Sequence, residues 1–90
     1  MTQTKFIAIG FDGTVVKNRF PYVGDPVPYA LDVLHRMQRE GVKIILSTLR
    51  EGGELTRAID WFTARGIRLY GINENAAQKA KSTEIGKVWA

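Results

Sequence analysis

The chain has 90 residues, and thirteen Lys and Arg against nine Asp and Glu leave it at +4, with a pI near 9.7. A chain this short makes one domain and hides only roughly 60–65% of the surface its unfolded form exposes, while a 44% hydrophobic content separates it from disordered sequences. The absence of cysteine excludes disulfide and thiol chemistry, and the scattered basic residues, with no run and no aromatic interleaving, argue against nucleic acid as partner.

The first residues, MTQTK, lack the charged region and apolar core of a signal peptide. Apolar runs of about five residues are too short to span a bilayer. The expectation is a cytoplasmic protein. Residues 6–9 (FIAI) form the first continuous apolar run, and a second at 43–47 (KIILS) is rich in β-branched side chains. A weaker third, 68–72 (RLYGI), follows. Continuous rather than alternating hydrophobicity suits strands covered on both faces, as in a parallel sheet.

Between the first two strands, residues 17–24 (KNRFPYVG) read as a long irregular loop, because Pro and Gly punctuate them. Asp25 then reads as a helix N-cap with Pro26 at the first helical position. Val27, Ala30, Leu31, Leu34 and Met37 recur at helical spacing, and Gly41 supplies the stop. His35 falls beside that stripe and is expected at the surface. A second helix starts near Gly53 and Glu54, carries Leu55, Ala58, Ile59 and Phe62 on one face, and stops at Gly66. Trp61 is expected to cover the edge of that face. The whole is a Rossmann-like βαβαβ unit, an α/β fold with three parallel strands and flanking helices, in a single domain spanning residues 1–90. Residues 73–90 read as a polar tail or the start of a fourth strand, with 88–90 (VWA) as its beginning.

In an open parallel sheet, ligands bind beyond the carboxyl ends of the strands. Asp12, Gly13 and Thr14 follow strand one, Ser47 and Thr48 close strand two, and Asn73, Glu74 and Asn75 follow strand three. Strands about 4.8 Å apart let Asp12 and Thr48 face one small ligand. The backbone amides of residues 11–14 suggest an anion-binding nest, although Asp-Gly after a strand is equally a common turn signal.

The segments IAIGFDGTVV, ILSTLREGGEL and IRLYGINEN together resemble the haloacid dehalogenase superfamily of phosphotransferases, in particular its small capless phosphatase-like members. The resemblance runs from Phe6 onward. In that family an apolar strand leads into Asp-x-Asp-Gly-Thr, where the first Asp attacks phosphorus and the second acts as general acid and base. The resemblance places Asp12 at the second position and Gly10 at the first. It assigns the phosphoryl-holding hydroxyl to Thr48, with Gly13, Thr14 and Ser47 around the substrate. It leaves Arg50 as either a substrate-directed charge or a surface residue. The family's charge-balancing Lys aligns best with Lys87, ahead of Lys79 and Lys81, and its acidic fourth motif does not appear before Ala90.

Glycine forms no covalent phosphoenzyme and offers no carboxylate to Mg²⁺, a hard cation that favours near-octahedral oxygen donors. The resemblance therefore implies a scaffold for Mg²⁺-dependent phosphate-ester hydrolysis, inactive as this chain stands, with Asp12 left as a weak metal ligand. A phosphorylated small molecule is the implied ligand. In the family's sheet order, 5-4-1-2-3, strand one lies between strands four and two; without strands four and five it is expected to be an edge, which invites pairing with a second copy or a complementing chain. A non-catalytic interaction module built on that edge is the alternative.

Overall fold

The computed structural model of the protein describes residues 5–78. Seven elements follow in order: β1 (Phe6–Gly10), β2 (Val16–Arg19), β3 (Tyr22–Pro26), α1 (Ala30–Arg39), β4 (Lys43–Ser47), α2 (Gly52–Ala64) and β5 (Leu69–Ile72). The expected α/β architecture is present as a three-stranded parallel sheet in the order β1-β4-β5. Its β1–β4 register runs without a break from Phe6 opposite Lys43 to Gly10 opposite Ser47. The strand ends that should carry chemistry are therefore level.

Central β4 explains why the sheet holds. Ile44 and Leu46 join one apolar cluster with Phe11, Val15, Val16, Leu34 and Phe62. Ile45 points to the opposite face by strand alternation and is fully buried as well. Strand β1 departs from the expectation of cover on both faces. Ile7 and Ala8 are exposed, and among the described residues β1 has a neighbour only on the β4 side. An edge strand lacks the second neighbour that would complete its cover.

Helix α2 packs Ala58, Trp61 and Phe62 inward. Trp61 belongs to the core rather than its rim: its ring meets Phe11 and Phe62 edge-on, at centroid distances of 5.8 and 5.2 Å. Helix α1 is tied to the turn before β5 by one side chain. Gln38 donates from Nε2 to the Gly66 carbonyl, and its Oε1 accepts from the Arg68 amide, both at 2.8 Å. The expected stops at Gly41 and Gly66 hold, with φ of 83° and 75° that suit glycine.

Two expectations for residues 17–29 fail. The segment read as an irregular loop is an antiparallel hairpin, β2 with β3, pairing Asn18 with Val23 and Arg19 with Tyr22. Its strands show few inward apolar residues because Val16 and Val23 alone anchor them, while Lys17, Asn18 and Arg19 face solvent. Asp25 and Pro26 end β3 instead of starting a helix. The Val27 amide donates to the Val15 carbonyl at 2.9 Å, which holds the chain extended past Pro26. The helix begins at Ala30, after Tyr29 turns the backbone in the left-handed region at φ 65°.

Candidate functional site

Beyond Gly10 and Ser47, the neighbouring ends of β1 and β4, lies an open cavity of about 690 Å³. Gly10, Asp12, Ser47, Thr48 and Arg50 all line it. The sequence reading brings these residues to one place, and the level β1–β4 register is the reason. Asn73, after β5, reaches the same cavity.

Arg50 organises the site. It is buried, and its Nε and Nη2 donate to Oδ2 and Oδ1 of Asp12, both at 2.7 Å. Nη2 also donates to the Tyr22 carbonyl at 2.9 Å, and Nη1 donates to the carbonyls of Pro21 and Glu54 at 3.2 Å each. A guanidinium has five N–H donors, so all of them have protein acceptors. The rings of Phe11 and Phe20 lie 5.2 and 5.1 Å from its central carbon. Arg50 is thus neither a surface residue nor a donor held ready for a substrate. It joins the Asp12 turn, the hairpin tip and the first turn of α2. The bond to Asp12, ahead of the opposing effect of burial, holds the Arg50 pKa above its ordinary value.

Asp12 is correspondingly committed, with each carboxylate oxygen in a short charge-assisted bond. The remaining Asp-Gly-Thr turn is internally closed. The Phe11 carbonyl accepts from the amides of Thr14, Val15 and Val16 at 3.0–3.2 Å, and the Gly13 amide donates to the Val16 carbonyl at 2.7 Å. The amides of Gly13 and Thr14 therefore do not form the expected nest. Gly13, at φ 82°, serves the turn, and neither it nor Thr14 lines the cavity. Thr14 instead faces a second, apolar groove between β1 and α1. A Cβ placed on Gly10 would stand 3.1 Å from Thr14 Oγ1 and 3.9 Å from the Ser47 carbonyl.

The second strand end is held by Asn73. Its side-chain Oδ1 accepts from the Thr48 amide at 2.8 Å, while its own amide donates to the Leu46 carbonyl at 2.7 Å. The Thr48 hydroxyl accepts from the Arg50 amide at 3.1 Å, which leaves its proton to donate. Ser47 is exposed at the end of β4. The accessible polar groups are therefore mostly neutral donors, beside an ion pair whose charges cancel.

This donor set does not fit Mg²⁺. Gly10 contributes no ligand, both Asp12 oxygens are held by Arg50, and among the described residues no group of three or more His, Cys, Asp or Glu could hold a metal ion. His35 is half-buried on α1 and does not line the cavity. Lys79, Lys81 and Lys87, and the incipient strand at residues 88–90, lie outside the described residues. No described helix is long and apolar enough to cross a membrane.

Three further lining residues escaped the sequence reading: Asn18, Phe20 and Leu49. The signal was faint but present. Phe20 is an aromatic side chain in a polar hairpin, and Leu49 is a lone large apolar residue in STLREGG. Both are exposed.

No protein-family model matches the chain, and no curated protein does. Among solved structures, the chain is similar to a conserved protein from Bacteroides thetaiotaomicron, at 41% identity and a TM-score of 0.75. The match covers 79% of this chain and 59% of that protein, so the chain spans well under two thirds of its length.

Proposed function

We propose that the chain is a phosphate-ester-binding domain of haloacid dehalogenase type that does not hydrolyse its ligand. One observation carries this reading: Gly10 ends β1 at the wall of the cavity, level with Ser47, where that mechanism needs a nucleophilic carboxylate. The general acid–base position is closed in the same way, because Asp12 is paired with buried Arg50. Glycine also supports binding. It permits close approach of a ligand to the backbone, and it removes a negative charge that would repel a phosphate at contact distance. Ser47, Thr48 and Asn73 then supply neutral donors. Mg²⁺ has no part in this reading. A cytoplasmic setting, where small phosphate esters are abundant, accompanies it.

The test pairs a binding measurement with an activity measurement. Calorimetric titration with inorganic phosphate should show binding that the double variant Ser47→Ala, Thr48→Val loses. Phenyl phosphate with Mg²⁺ should show no turnover above that of Asp12→Asn. Turnover that disappears in Asp12→Asn would overturn the reading, since a carboxylate would then be reaching the site from elsewhere.

A second reading rests on a different observation. Beside β1 runs an apolar groove of about 400 Å³, lined by Ile7, Ile9, Val27, Tyr29, Val33 and Met37, with Tyr29 80% exposed. An apolar strip along a strand edge that has no partner among the described residues suits pairing with a second copy of the chain. Sedimentation should then show a concentration-dependent dimer that Val33→Glu disperses. A monomer at all concentrations would remove this reading.

A further inference from the structure

The cavity is lined by two unlike kinds of side chain. Ser47, Thr48 and Asn73 stand at the strand ends, and all three are polar. Phe20, at the hairpin tip, and Leu49, in the loop between β4 and α2, line the same cavity, although they come from distant parts of the chain. Leu49 is 99% exposed and Phe20 58% exposed. Large apolar side chains usually escape water, and here two of them line one cavity while remaining exposed.

The Phe20 ring is also held in place. Arg50 lies against it at 5.1 Å, and Arg50 is itself fixed by the carbonyls of Pro21 and Tyr22, the two residues that follow Phe20. The Phe20 amide donates to Asn18 Oδ1 at 3.2 Å, which adds a local backbone restraint. A ring packed on a buried cation, yet more than half exposed, is a prepared stacking platform. The cation contact restricts the side chain before a ligand lands on it.

We infer that the ligand is a phosphate monoester of a flat aromatic group, with the ring on Phe20 and Leu49 and the phosphate toward Ser47 and Thr48. This inference rests on the phosphate-binding reading and adds the organic half of the ligand. A sugar or glycerol ester would satisfy the polar groups but leave Phe20 and Leu49 wet. An aryl ester and a nucleoside monophosphate share the required chemistry.

The experiment compares dissociation constants for inorganic phosphate, glycerol phosphate, phenyl phosphate and a nucleoside 5′-monophosphate on the intact chain. Stacking on an exposed aromatic should make the better aromatic ester roughly tenfold tighter than glycerol phosphate. The order of the two aromatic esters identifies the source, and either order supports the inference. Phe20→Leu, which keeps apolar bulk without a ring, should bring that ratio toward one. Leu49→Ser, at a position with almost no packing to lose, should lower it independently. Equal binding of all the phosphates would overturn the aromatic half and leave the phosphate reading standing. Absence of binding by every phosphate, inorganic phosphate included, would overturn both.

Discussion

The Arg50 guanidinium grips the Asp12 carboxylate through two parallel 2.7 Å bonds, with the arginine side chain 1% exposed and the aspartate 18%. Residues 38 positions apart are thereby locked side on, in the bidentate geometry that arginine alone provides. The pair turns a motif suggestive of acid–base chemistry into a structural joint. Its three further bonds reach the hairpin and α2, so the joint sets the shape of the cavity mouth.

Arg50→Lys should therefore be severe. Lysine has three donors and no planar fork, and breaking a buried pair costs about 3–5 kcal/mol. Against a typical total of about 5–15 kcal/mol, the urea midpoint should fall steeply. The pH dependence has a definite sign. The Arg50 pKa is raised on folding, so its contribution is complete below its ordinary value and is lost only as pH rises through the still higher folded value. The stability difference between parent and variant should stay level from about pH 6 to about pH 9. A difference that vanishes within that range would contradict the joint.

The hairpin makes a separate prediction through Gly24. It is buried in β3 beside the register shift in β2, and a Cβ there would fall on the Lys17 carbonyl. Gly24→Ala forces the backbones apart and should cost about 2–4 kcal/mol in urea unfolding. Gly53→Ala is the matched control. Its Cβ meets nothing within 4 Å in the first turn of α2, so it should gain about 0.4–1 kcal/mol.

These two glycines show what could be read from the sequence. Continuous apolar runs marked β1, β4 and β5, and helical spacing with terminal glycines marked α2, because burial at those positions is set by local pattern. The hairpin was illegible for the converse reason. Its outward residues are polar, and its tip is held by Arg50, more than twenty residues downstream. Asp25-Pro26 carried a genuine helix-start signal, and a long-range bond between Val27 and Val15 overrode it. In the site, residues at strand ends were legible from topology. The aromatic part of the lining was not, because only the folded hairpin brings Phe20 to the cavity.

Gly10→Asp tests the missing carboxylate directly. Among neighbours outside the adjacent residues, the new Cβ is tight only against Thr14 Oγ1 at 3.1 Å, a side-chain atom that can yield by a few tenths of an ångström. The variant should fold. In metal-free buffer it should bind inorganic phosphate roughly tenfold more weakly, because two anions at contact distance repel. Turnover of phenyl phosphate should stay absent, since Asp12 remains held by Arg50. Unchanged phosphate affinity would mean that the anion does not sit beside residue 10.

Asn73 separates two roles in one residue. Its backbone lies in the left-handed region at φ 55°, which asparagine tolerates better than most side chains and glycine accepts freely. Its carboxamide also accepts from the Thr48 amide at 2.8 Å, fixing the end of β4 against the end of β5. Asn73→Gly keeps the conformation and removes the bridge, a loss of about 0.5–1.5 kcal/mol for one hydrogen bond. Asn73→Ala removes the bridge and adds backbone strain, so it should lose about 1 kcal/mol more than the glycine variant. Urea unfolding of the two variants separates the terms. If alanine and glycine prove equal, strain plays no part. Titration with phosphate then reads the site itself: both variants should bind more weakly than the parent by a similar factor, because both leave the Thr48 segment without the strut that sets its position in the cavity.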